Sequence, residues 1–164
     1  MSGQEIAFII LAVTGLAAAI RLVTTDNVVH GALYLVVTLA VVGGVFLVLG
    51  AEFIAWVQVL IYVGAIVVLL LFGLMLTKAP IGREALDNQQ RALAAVVAIV
   101  VLAGLAFMVR DAFSGSQVDA TPTTTAEVGT SIFSKFVLPF EVVSILLLAA
   151  LIGAVVIARK DDSK

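Results

Sequence analysis

The sequence predicts an all-α integral membrane protein with five transmembrane helices, its N-terminus outside and its C-terminus cytoplasmic. Three observations predict it. Hydrophobic residues make up 63% of the 164 positions and charged ones 12%, against about 25% charged in an average soluble domain. With a mean hydropathy of +1.25, the chain carries more apolar surface than a water-soluble core of this size could hide. Its apolar residues fall into five runs, at 6–20, 32–49, 53–76, 92–109 and 136–158, where about 20 residues at 1.5 Å each cross the roughly 30 Å hydrocarbon core of a bilayer. The runs are apolar on every face, without the period-2 alternation of a membrane strand, and backbone in lipid must satisfy its own hydrogen bonds.

The helices are expected at about 4–22, 29–49, 53–77, 90–110 and 136–158, in one membrane domain spanning 1–164. The first follows five residues without a basic segment and is long enough to span, so it reads as a helix and not as a cleavable signal. Arg21 and the polar turn Thr24, Thr25, Asp26, Asn27 end it. Only Gly50, Ala51 and Glu52 separate the second helix from the third, a tight hairpin. A polar connection over 78–91, holding Pro80 and Gly82, precedes the fourth. The outer loop 111–135, rich in Ser, Thr and Asp, is expected to be irregular, with room for one short helical turn. Pro139 suits the first turn of the last helix.

Orientation follows from basic residues. With the N-terminus outside, Arg21, Lys78, Arg83, Arg91, Arg159, Lys160 and Lys164 lie inside, seven of the nine Lys and Arg, leaving Arg110 and Lys135 outside. Small residues four apart (Gly15/Ala19, Ala40/Gly44, Ala94/Ala98, Ala149/Gly153, Ala150/Ala154) suit close helix packing, within the chain or against partners.

Several chemistries are excluded. The absence of cysteine rules out iron–sulfur clusters, thiolate metal sites and disulfides. One histidine, His30, is too few for a haem pair, and no basic tract suits nucleic acid. No extramembrane segment is large enough for a nucleotide fold. No Lys, Asp or Glu falls mid-helix, where a dedicated ion carrier would normally place one; this counts against an autonomous transporter or channel, as does the lack of an internal repeat.

The polar groups that remain are few. In "WVQVLIYVGAIVVLLLFG", residues 56–73, the amide of Gln58 and the phenol of Tyr62 stand among apolar side chains. Tyr62 lies ~14 Å into the third helix, close to mid-membrane, and in a regular helix Gln58, Tyr62, Ala65, Ile66 and Leu69 share one stripe. Two readings stand: the pair glues neighbouring helices, or it borders a water path that Gly64 loosens, since glycine weakens a helix by about 1 kcal/mol relative to alanine. A phenol suits a relay or gate, not a proton store. Glu52 sits at the start of the third helix, where the helix dipole stabilises a carboxylate. Glu141 reads as a first-turn anion of the last helix or as a contact for a partner subunit. Asp26 and His30 suit a solvated turn, and Trp56 an interfacial anchor.

The run "AEFIAWVQVLIYVGAIVVLLLFGLML" (51–76) resembles the third helix of the subunit J family of proton-translocating NADH–quinone oxidoreductase, respiratory complex I, whose mitochondrially encoded counterpart is chain 6. "LPFEVVSILLLAALIGAVVIARK" (138–160) resembles that family's last helix. The helix count, the short second hairpin and the polar loop before the last helix agree, so the likeness covers essentially the whole chain. It departs at Asn27-Val28, where many relatives have proline after the asparagine.

The resemblance implies a non-catalytic subunit of a multisubunit translocase in the respiratory chain. It would bind no cofactor, with FMN, iron–sulfur clusters and a quinone held by other subunits. Its partners would be the quinone-site subunit, small three-helix subunits, antiporter-like subunits and lipid. A π-bulge near Tyr62 and Gly64 is implied, with rotation of that segment, Val68 included, opening and closing a water path between quinone chemistry and proton pumping. Gln58, Glu52 and Glu141 match the motifs as supporting residues. The Ala, Val and Gly richness points to a bacterial plasma (inner) membrane. An autonomous transporter or channel and a purely structural scaffold are the alternatives.

Overall fold

The computed structural model describes residues 2–76, 90–115 and 121–159, apart from the Arg91 side chain. Lys78, Arg83, Lys160 and Lys164, which weigh in the expected orientation, lie outside the described residues, as do Pro80 and Gly82. The described chain is helical: α1 Gly3–Thr24, α2 Val28–Val48, α3 Glu52–Leu76, α4 Arg91–Phe113, α5 Thr125–Ser134 and α6 Val137–Ala158. Five of these, all but α5, are long and apolar enough to cross a membrane, α4 counted from Ala92. By contacts the chain divides into two units, Met1–Pro122 and Thr123–Lys164.

Local chemistry sets the helix ends. At α1, Ser2 Oγ accepts from the Glu5 N–H (3.3 Å) while Glu5 Oε2 accepts from the Ser2 N–H (2.9 Å), a capping box that satisfies two otherwise orphan donors. At α2, Asn27 Oδ1 accepts from the N–H groups of Val29 (2.9 Å) and His30 (3.3 Å). The α2–α3 hairpin closes with Gly50 N–H donating to Leu47 O (3.0 Å) and Ala51 N–H to Phe46 O (2.9 Å), a Schellman motif. Gly50 is required there: its φ is +74°, and a Cβ would stand 3.0 Å from the Pro122 Cα. Hydroxyls within the helices are satisfied locally, as where Thr14, Thr38 and Ser144 each donate to the carbonyl four residues back at 2.8 Å.

In the first unit, α2 packs between α1 and α3, and small residues set the separation. A Cβ on Gly15 of α1 would lie 2.9 Å from Val41 Cγ1, and one on Gly44 of α2 would lie 3.0 Å from Leu11 Cδ2. Each helix thus seats a branched side chain of the other over a glycine, so two of the expected small residues do bring helices together. Within the chain Ala40 is exposed and Ala19 half-buried, while Ala18 is the buried alanine of α1. The α4 span has no buried residue.

In the second unit, α5 packs on α6, with the Phe133 and Phe140 rings edge to face at 5.1 Å. Lys135 Nζ stands 5.8 Å over the Phe136 ring. The helix α5 corrects the expectation of an irregular 111–135 loop. Its start is another capping box: Thr124 Oγ1 accepts from the Glu127 N–H (3.3 Å) and Glu127 Oε2 from the Thr124 N–H (3.1 Å). The Thr-x-x-Glu spacing was the signal that could have found it. Likewise α4 runs to Phe113, past the expected end at 110.

Candidate functional site

The middle of α3 is not an α-helix. Glu52–Val57 is α-helical, Gln58–Ile66 is a nine-residue π-helix, and Val67–Leu76 is α-helical again. At its end the Val67 N–H donates to the carbonyl of Tyr62, five residues back instead of four. The segment contains Gln58, Tyr62 and Gly64, and Val68 follows it directly.

The wider turn changes which side chains face inward. Ala55, Gln58 and Val67 are buried, and Val63, Leu71 and Leu74 are half-buried. The steps along this row are three, five, four, four and three residues, and the five-residue step spans the π segment. The expected stripe through Gln58, Tyr62, Ala65, Ile66 and Leu69 is therefore corrected. Gln58 is 8% exposed, whereas Tyr62 is 44% exposed and Leu69 71%. The extra residue in the turn carries Tyr62 off the packed face and brings Val67, 1% exposed, onto it. Val68 is turned outward, at 60%.

Gln58 is held against α2. Its Nε2 donates to the Leu39 carbonyl of α2 at 3.3 Å. Gly43 makes room: a Cβ there would lie 3.3 Å from Val59 Cγ2, 3.6 Å from Gln58 Cγ and 3.7 Å from the Ala55 carbonyl. Gly64 is in open surroundings, and a Cβ on it would meet only the Val59 carbonyl, at 3.5 Å. Leu39, Gly43 and Val67 were not among the expected site residues. Gly43 adjoins the recognised Ala40/Gly44 pair, but nothing in hydropathy separates Val67 from Val68.

The two carboxylates differ. Glu52 is in the first turn of α3 and exposed, as expected. Glu141 is not a first-turn residue: α6 begins at Val137, which puts Glu141 in the second turn, with Pro139 in the first. Trp56 is 57% exposed, and Asp26 and His30 flank the Asn27 cap at the start of α2. Among the described residues no group of three or more His, Cys, Asp or Glu is placed to hold a metal ion.

The sequence profile described as NADH-ubiquinone/plastoquinone oxidoreductase chain 6 matches residues 18–157. The chain belongs to that family. It is 36% identical to the chloroplast NAD(P)H-quinone oxidoreductase subunit 6 of Mesostigma viride, over 98% of its own length and 86% of that protein. It is 38% identical to F(420)H(2) dehydrogenase subunit J of Methanosarcina mazei, over 96% and 92% of the two chains. With NADH-quinone oxidoreductase subunit J of Escherichia coli it shares 32% identity, over 98% and 95%. The resemblance read from residues 51–76 and 138–160 thus holds across the chain 6 family match.

Proposed function

We propose that this chain is a membrane-arm subunit of a proton-translocating NADH–quinone oxidoreductase, without a redox centre of its own, that couples quinone reduction to proton movement through the third helix. Its N-terminus is outside and its C-terminus cytoplasmic, in a bacterial plasma membrane. FMN, iron–sulfur clusters and the quinone belong to other subunits. The relatives named for NADH, NAD(P)H and F(420)H(2) suggest that the donor side varies while this subunit is kept.

The five-residue closure from Val67 to Tyr62 supports the coupling role most directly. A π segment and a regular helix of the same sequence differ by one residue in the turn, so changing between them re-aims every side chain beyond it. In the regular register Tyr62 shares the face of Gln58; in the π register it faces outward, and Val67 takes the packed position. Tyr62, Gly64 and Val68 form the moving gate, with Glu52 and Glu141 outside it. The exposed apolar faces of α4 and α6 suit cover by lipid and by the quinone-site, three-helix and antiporter-like subunits.

The test is Gly64→Leu in the assembled complex. Bulk at the gate is expected to lower the protons moved per quinone reduced several-fold while assembly is kept. Full pumping in an assembled variant would leave only a scaffold role.

A further inference from the structure

We infer that Gln58 is the fixed end of the hinge: its amide, clamped on the Leu39 carbonyl, holds the first part of α3 against α2, so the register change turns only the part beyond it. This rests on the register-change reading above and adds which half moves and what holds the other still.

Among the described residues, Gln58 is the one buried polar side chain. A buried amide that loses its partner is left unsatisfied in apolar surroundings, so the bond resists any motion that would pull it away. Its acceptor can hold a second donor, because a carbonyl oxygen has two lone pairs and the α2 ladder occupies one. Packing adds to the hold. Gly43 lets Ala55, Gln58 and Val59 approach α2 together: a Cβ there would press on Val59 Cγ2 at 3.3 Å and touch Gln58 Cγ and the Ala55 carbonyl at contact distance, 3.6 and 3.7 Å.

Beyond Gln58 the contacts change character. Gly73 apart, no side-chain hydrogen bond among the described residues joins the rest of α3 to α2. The packed positions there are Val63, Val67, Leu71 and Leu74, which make non-directional apolar contacts. One apolar side chain can replace another on such a face, whereas an amide–carbonyl bond is directional and is broken when its donor turns away. The boundary also falls at the right place, since Gln58 is the first residue of the π segment. Ala55 and Trp56 therefore belong to the stationary part, and Tyr62 and Val67 to the part that exchanges faces.

The experiment uses the assembled complex in proteoliposomes, with spin labels on genetically encoded side chains. The reference position is Val13 of α1, paired with Ile54 before the clamp or Leu69 after it; these are 63%, 48% and 71% exposed. During turnover the Val13–Leu69 distance is expected to split into two populations while Val13–Ile54 stays single. In Gln58→Met, which keeps the volume and removes the donor, Val13–Ile54 is expected to split as well. The protons moved per quinone reduced would fall at least two-fold, with quinone reduction retained. A split confined to Ile54 in the unsubstituted complex, or a Gln58→Met complex indistinguishable from it, would overturn the fixed-end role and leave the hinge standing. If neither distance splits in a pumping complex, the register change itself is wrong. Should Gln58→Met fail to assemble, the unsubstituted pair of distances still decides which half moves.

Discussion

The Val67 N–H donates to the Tyr62 carbonyl, and the two side chains take opposite environments: Val67 is 1% exposed and Tyr62 44%. The backbone bond that joins them is also what separates their faces. The Tyr62 hydroxyl bonds to no other described residue, so Tyr62→Phe breaks no hydrogen bond among them. Assembly and stability are expected to be unchanged, within about 0.5 kcal/mol. Protons moved per quinone reduced should fall, because the phenyl ring can turn with the helix but cannot relay. Pumping measured in vesicles checks this, and an unchanged ratio would remove the hydroxyl from the path while leaving the hinge.

The existence of α3 was legible because a run apolar on all faces must be helical in lipid. Its register was not legible for the same reason. Where every face is apolar, no face is marked as inward, and Val67 stands among Val, Ile, Leu, Ala and Gly like its neighbour Val68. A one-residue wider turn leaves composition untouched and changes only where the closure falls. The resemblance to a family supplied the π-bulge, whereas residue patterning alone predicted a regular stripe.

Interlocking of α1 and α2 gives a ranked prediction. In Gly15→Ala the new Cβ meets Val41 Cγ1 at 2.9 Å, and valine in a helix has one strongly preferred rotamer, so it cannot swing aside. In Gly44→Ala the neighbour at 3.0 Å is Leu11 Cδ2, the far end of a side chain that can rotate. A Cβ in Gly73→Ala meets no described residue within 4 Å. Thermal unfolding in detergent should therefore rank Gly15→Ala as most destabilised, by about 1–3 kcal/mol, then Gly44→Ala, with Gly73→Ala unharmed. Equal midpoints for Gly15→Ala and Gly73→Ala would mean that α1 and α2 do not pack through this glycine.

The helix α5 was missed because its composition is that of a loop, and its polar residues hid the start signal in Thr124 and Glu127. In Thr124→Ala the Glu127 N–H loses its acceptor, at a cost of about 1 kcal/mol. Amide hydrogen exchange in the first turn of α5 should quicken about five-fold, the factor that corresponds to that energy. Quinone reduction should not change. Exchange as slow as in the unsubstituted chain would show that something other than the capping box sets the start of α5.

Glu52 and Glu141 looked alike in the sequence, each a carboxylate beside a helix start, and the helix boundaries part them. Glu52 is in the first turn of α3, where the exposed N–H groups and the helix dipole stabilise an anion. Glu52→Gln should cost about 0.3–1 kcal/mol of stability and leave pumping intact. Glu141 lies a turn further in, behind Pro139, and the dipole's effect falls off within the first turn. Of its two sequence readings, the first-turn anion does not fit this position, and the partner contact is the one to test. Glu141→Gln is accordingly expected to lower the yield of assembled complex on native electrophoresis, by more than any loss from Glu52→Gln. The opposite ranking, with Glu52→Gln the more damaging, would place the partner-facing carboxylate on α3.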